Sequence, residues 1–159
     1  MRKVISNEEP MVFNYKKVID ERGSLIKLSD NNQIGYDGEK IIDLYIAESN
    51  KNVFRGLHYQ YGKFAQRKNF LVLNGKVDIY CYNLRTNKIM SFELSRTSKS
   101  SLYVPIGWAT GYHAKSNKNQ ILYASPDPYV PSSEKVINCS VIDGLDYSDL
   151  IFSDKDKPE

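Results

Sequence analysis

The sequence predicts an all-β fold, a sandwich, barrel or jelly roll, on three observations. Short runs rich in Val, Ile, Tyr and Phe recur along most of the chain, the content expected of pleated, half-buried strands. Gly, Asn and Pro punctuate those runs at regular intervals. No stretch carries an apolar helical period framed by caps.

The elements follow in order. Asn31 to Glu39 (NNQIGYDGE) is loop-like, and the next runs, 41–48 (IIDLYIAE) and 52–60 (NVFRGLHYQ), read as strands. Residues 69–84 read as two strands, NFLVL and KVDIYCYNL, joined as a tight hairpin by Asn74-Gly75, the dipeptide best suited to a two-residue turn. Further strands are expected at 89–94, at 101–104 ending on Pro105-Ile106-Gly107, and at 108–115, 119–125 and 135–142. Ser153 to Glu159 is a polar tail. With no repeat, linker or low-complexity tract, residues 1–159 are expected to form one domain.

Composition excludes several classes. A chain of 159 residues, 41% hydrophobic and 26% charged, has the make-up of a globular protein that buries a core without staples. The net charge of +3 is mild and its Lys and Arg are interspersed with acids, so no basic stripe for nucleic acid is expected. No apolar run is long enough for a membrane-spanning helix, and the N-terminus lacks a signal peptide's apolar stretch. Cys81 and Cys139 form no disulfide framework or zinc motif, which fits buried thiols in a reducing, cytoplasmic setting.

The inventory for chemistry is short. The two histidines, His58 and His113, lie far apart and make a poor metal site, so no metal and no cofactor is expected. Histidine suits general acid–base work instead, because its ordinary pKa lies near neutrality. Arg55-Gly56-Leu57-His58-Tyr59-Gln60 sets a cation, a base and an amide on one strand. Strand alternation puts Arg55 and His58 on opposite faces. They share a site only if Gly56 marks a bulge or bend, or if Arg55 serves a partner subunit.

These residues resemble the dTDP-4-dehydrorhamnose 3,5-epimerases and related nucleotide-sugar epimerases. Asp20-Glu21-Arg22-Gly23 is similar to the family's Asp-x-Arg-Gly, whose arginine approaches the nucleotide diphosphate. The Arg55–Gln60 run is similar to Arg-Gly-Leu-His-Phe-Gln, the strand of the catalytic base. Lys68 follows His58 by ten residues and precedes Gly75 by seven, the spacings of the family's active-site lysine. Val77 to Arg85 resembles the strand that follows, with its Asp-x-Arg end. Pro105-Ile106-Gly107-Trp108-Ala109-Thr110-Gly111-Tyr112 resembles Pro-x-Gly-Phe-Ala-His-Gly-Phe. Tyr123 matches the catalytic tyrosine, Tyr129-Val-Pro-Ser-Ser-Glu134 matches Tyr-x-Pro-x-x-Glu, and Ser153-Asp154-Lys155-Asp156 matches the run whose last aspartate orients the histidine. Without the resemblance, Tyr123 reads as packing, Lys68 as a solvated strand lysine and Asp156 as a tail carboxylate.

The resemblance covers roughly residues 18–156 and implies a cupin-type jelly roll, a double-stranded β-sandwich. It also implies inversion of C3 and/or C5 of a dTDP- or other nucleotide-linked 4-keto-6-deoxy sugar, for deoxysugar or surface-polysaccharide biosynthesis. His58, Tyr123, Lys68 and Asp156 would carry the catalysis, and Arg22, Arg55, Gln60, Thr110 and Tyr129 would bind substrate. A homodimer exchanging N-terminal strands is implied in the same way. Three departures stand out. Thr110 replaces a family histidine, Asp43-Leu44-Tyr45 replaces Gln-x-Asn, and the stretch from Glu134 to Ser153 is compressed. Two alternatives stay open: a metal-free cupin that only binds sugars, favoured by Thr110, and a 3,4-ketoisomerase, which would use closely spaced histidines absent here. Trp108 and Tyr59 are read either as stacking groups for a base or sugar or as packing.

Overall fold

The computed structural model describes residues 9–28 and 40–158; the Asn31–Glu39 segment read as a loop and the first eight residues lie outside them. The described strands are, in chain order, β1 (Met11–Asn14), β2 (Lys17–Asp20), β3 (Gly23–Ile26), β4 (Asp43–Asn50), β5 (Phe54–Gln60), β6 (Lys68–Asn74), β7 (Lys76–Asn83), β8 (Ile89–Ser95), β9 (Ser100–Val104), β10 (Trp108–Ala114), β11 (Lys118–Ser125) and β12 (Glu134–Val136). They pair antiparallel into two five-stranded sheets, β1-β9-β6-β11-β4 and β12-β5-β10-β7-β8, with β2-β3 as a separate ribbon. This is the β-sandwich the sequence leads one to expect.

Burial explains why these runs become strands. Along β7, Val77, Ile79 and Cys81 are buried while the residues between them are partly exposed, the period-two signature of a strand with one face on a core. They meet Phe70, Val72, Leu102 and Ile121 of the other sheet, together with Trp108 and Tyr112. A second cluster lies on the outer face of the β5–β10 sheet. There Phe54, Leu57 and Ala109 are covered by Cys139, Ile142, Leu150 and Phe152 from the C-terminal segment. Both cysteines are free and buried.

Two expectations are corrected, and one ribbon is added. Asn74-Gly75 does not close a hairpin, since β6 and β7 belong to different sheets. The dipeptide is a corner: Gly75 has φ +81°, and a Cβ there would lie 2.5 Å from the Lys118 carbonyl oxygen and from Asn119 Oδ1. Local turn preference specifies the positive φ but not the partner, and β6 finds its partners in β9 and β11. The strand expected at 135–142 stops at Val136; Cys139–Val141 is a 3-10 turn that lays Cys139 and Ile142 onto the outer cluster. The ribbon β2-β3 was not expected, because every residue in it is exposed and no alternation marks it.

Candidate active site

A bulge in β5 builds the site. Thr110 pairs with His58 and Tyr112 with Arg55, so three steps along β5 match two along β10. Gly56, at φ +127°, absorbs the extra residue, and any Cβ there would run into the Gly111 backbone. The bulge turns Arg55 and His58 to the same face, inward with Thr110 and Tyr112. Alternation had left that question open, and the bulge is the answer. His113, three positions after Thr110, points to the other face and does not replace the missing histidine.

His58 sits between carboxylates. Its Nε2 lies 2.7 Å from Asp156 Oδ1, and Asp156, only 4% exposed, also accepts from the Gly56 N–H at 3.3 Å. Burial pushes the Asp156 pKa up, but the hydrogen bond and charge of His58, with the Gly56 and Ser153 contacts, outweigh it and hold the carboxyl below its ordinary range. An ionised carboxylate only accepts, so Nε2 carries a hydrogen, and in the neutral ring Nδ1 is the nitrogen with the lone pair. Nδ1 faces Glu134 Oε1 at 3.5 Å, and Glu134 is ion-paired with Lys155 at 2.9 Å.

Lys68 and Tyr123 enter from the opposite sheet. The Lys68 ammonium donates to Thr110 Oγ1 at 3.1 Å and to the His58 carbonyl at 3.3 Å, bridging the two sheets. Burial pushes its pKa down to about 8, against the pull of Glu134, Cys81 and Asp43. Tyr123 stacks on Tyr45, centroids 4.6 Å apart, and meets Phe70 edge-on at 4.7 Å. Burial raises its phenol well above the usual value, with Tyr112 and Tyr45 adding and Arg55 opposing. The phenol is therefore neutral near pH 7 and able to donate.

The remaining expected residues divide. Arg55 donates from Nε to Ser49 Oγ at 3.0 Å and from Nη2 to the Glu48 carbonyl at 3.2 Å. Gln60 is buried and accepts at Oε1 from Ser133 Oγ (2.6 Å) and Val130 N–H (3.0 Å), so that oxygen anchors the loop carrying Tyr129 and Glu134. Tyr129 is half exposed and hydrogen-bonded to Glu134. Arg22 is the exception. Its side chain is 84% exposed on the β2–β3 turn, pairs with Asp20 at 2.5 Å and does not join the others within this chain. Trp108 belongs to the core and Tyr59 to the outer cluster, so both pack.

Sequence reasoning passed over Glu134, Asp43, Tyr45, Ser49 and Tyr112 as site residues. For Glu134 the signal was present, since it closes the Tyr-x-Pro-x-x-Glu run. Tyr112 closes the Pro105–Tyr112 run, and Ser49 carried no signal, because a strand serine reads as packing. Among the described residues, no group of three or more His, Cys, Asp or Glu is placed to hold a metal ion.

The arrangement holds an oriented histidine on one sheet, with an ammonium and a neutral phenol on the facing sheet. Such a set can remove a proton from one side of a bound ring and return one from the other. Comparisons with known proteins point to one family. The chain is 31% identical to the dTDP-4-dehydrorhamnose 3,5-epimerase of Escherichia coli, over 94% of this chain and 84% of that protein. Its fold is similar to that of the same-named enzyme of Elizabethkingia anophelis, with TM-score 0.83 and 29% identity over 94% of this chain and 88% of the other. It is also similar to a dTDP-6-deoxy-D-glucose-3,5-epimerase of Legionella pneumophila, solved with dTDP-4-keto-L-rhamnose, at TM-score 0.78 and 26% identity over 93% of this chain and 90% of that one. Residues 6–159 match the family model described as dTDP-4-dehydrorhamnose 3,5-epimerase, and the chain belongs to that family.

Proposed function

We propose that this protein is an isomerase that epimerises a nucleotide-linked 4-keto-6-deoxy sugar at C3, C5 or both. The observation that carries the reading is the placement of the Asp156-oriented His58 and the Lys68–Tyr123 pair on facing sheets around one interior.

The C4 ketone acidifies the hydrogens on C3 and C5. His58 removes one at Nδ1 while Asp156 holds the other nitrogen and stabilises the imidazolium. The enolate oxygen is stabilised by the Lys68 ammonium, the kind of electrostatic contribution that is large in enclosed sites. Tyr123 then delivers a proton to the opposite face, which inverts the carbon. Each general acid or base contributes about 10²–10⁴-fold in rate. Arg55 offers forked donors to the diphosphate, and Tyr129 lines the rim. No step calls for a metal or cofactor.

Arg22 enters this scheme from a second copy. Val18, Ile19, Leu25 and Ile26 on β2-β3 are exposed, as are Leu44 and Ile46 on the sheet-edge strand β4. A homodimer exchanging N-terminal strands would cover both and carry Arg22 toward the partner's site. The working place of the protein is the cytoplasm.

The deciding experiment incubates the protein with a panel of nucleotide 4-keto-6-deoxy sugars in heavy water and follows the ring protons by NMR. Exchange with inversion at C3 or C5 supports the reading. Binding without exchange favours a sugar-binding module, and migration of the keto group favours a ketoisomerase. Because Thr110 stands in place of a histidine, efficient inversion is expected at one carbon, C3.

A further inference from the structure

Two rings flank Tyr123 across its sheet, and they do so on unequal terms. Tyr123, on β11, pairs directly with Tyr45 on β4 and with Phe70 on β6. Side chains paired in this way share one face of a sheet, with Cβ atoms about 5 Å apart. Tyr45 lies flat against Tyr123, centroids 4.6 Å apart and planes 9° from parallel. Phe70 meets it edge-on from the other side, at 4.7 Å and 61°. The Tyr123 ring is clamped from both flanks.

The flanking rings differ in what else they do. Phe70 is 1% exposed and belongs to the main core, so its loss would disturb the sandwich at large. Tyr45 is 47% exposed, lies on the edge strand β4 and belongs to neither apolar cluster. Its ring contact is with Tyr123. Tyr45 also ends the Asp43-Leu44-Tyr45 run that departs from Gln-x-Asn, so this ring belongs to a departure and not to the shared motif. With Tyr45 gone, the flank toward the sheet edge is open, and the Tyr123 side chain can turn toward it.

We infer that Tyr45 is a positioning residue whose ring face holds the Tyr123 phenol in the place from which it delivers its proton. This inference rests on the proposed role of Tyr123 as the acid. In that step the Tyr123 O–H bond breaks and the enolate electron pair forms the new C–H bond. The phenolate regains a proton from solvent after product leaves. Transfer of this kind is sensitive to placement, and a shift of about 1 Å can cost about a hundredfold. Deprotonation by His58 takes place from the facing sheet and does not call on the stack.

Two arms test this. With tyrosine ring carbons labelled, NMR relaxation of the free protein should show a rigid Tyr123 ring in wild type and in Tyr45→Phe. The ring should move faster in Tyr45→Ala, and an equally rigid ring there would overturn the clamp. In heavy water with the nucleotide 4-keto sugar, Tyr45→Ala should slow inversion roughly ten- to a hundredfold. Deuterium wash-in and KM should stay at wild type. Tyr45→Phe keeps the ring and drops the hydroxyl, and it should bring inversion back to the wild-type rate. Unchanged inversion in Tyr45→Ala, or a change confined to KM, would overturn the inference. Wash-in falling together with inversion would do the same, as the mark of general damage to the site. So would a Tyr45→Phe variant as slow as Tyr45→Ala, which would assign the effect to the hydroxyl. A wild-type protein that exchanges no ring proton would count against the epimerase reading, and the labelled-ring arm would still decide the clamp.

Discussion

The two walls of the site hold the proposed proton-transfer groups in opposite ways. On the β5–β10 sheet, His58 is surrounded by charge: Asp156 at one ring nitrogen, Glu134 facing the other and Lys155 beyond it. On the β6–β11 sheet, Tyr123 is surrounded by rings and neutral hydroxyls, with Tyr45, Phe70 and Tyr112 in contact. The Asp156 carboxylate fixes the orientation of the imidazole and the ring nitrogen that carries its hydrogen. An aromatic enclosure makes it harder for a phenol to lose its proton to water. The difference teaches that environment, as much as residue type, separates the proposed base from the proposed acid.

The largest effect expected from breaking this asymmetry is at the base. His58→Asn keeps similar volume and should abolish deuterium exchange at every ring carbon, by the 10²–10⁴-fold or more typical of a general base. Exchange within about tenfold of wild type, measured by NMR, would make His58 a structural residue. On the other wall, Tyr123→Phe removes one hydroxyl. Inversion should drop by about 10²–10⁴-fold while wash-in from the His58 face survives. An unchanged inversion rate would remove Tyr123 from the mechanism.

Asp156→Asn tests the charge around the base without touching the base itself. It should lower wash-in and inversion together, because both depend on the histidine that Asp156 orients. A loss confined to inversion would contradict the role assigned to this wall. A smaller effect concerns Lys68, which joins the walls. Its lowered pKa means the ammonium is present below about 8 and lost above it. Activity should therefore fall as pH rises through that value, and Lys68→Arg, which stays charged, should flatten the limb. The smallest effect is none: dialysis against a strong chelator should leave the rate unchanged, and loss restored by one divalent ion would overturn the site.

Much of the fold was legible from the chain. The strands declared themselves by β-branched and aromatic content between turn residues, and motif and spacing singled out His58, Lys68, Tyr123 and Asp156 as candidates. The illegible parts share a cause. Whether Arg55 and His58 share a face depends on the bulge at Gly56, which is set by the approach of Gly111 from another strand. The role of Asn74-Gly75 depends on which sheets claim β6 and β7. Every residue of the β2-β3 ribbon is exposed, so no alternation marks it. Each was decided by long-range partners that local preference does not encode.

The partnership of Asp156 with His58 spans a sequence separation of 98 residues and depends on the C-terminal segment lying down on the outer cluster. The sandwich itself is assembled from the strands before that segment, and its core does not include it. Loop-closure entropy makes so distant a contact a late one. A chain could therefore possess a finished barrel and still be chemically idle, its base unsteered. A proteolytic cut in the segment after Phe152 would return a mature molecule to that condition, slowing turnover while leaving the shell that antibodies or thermal melts report on largely as it was.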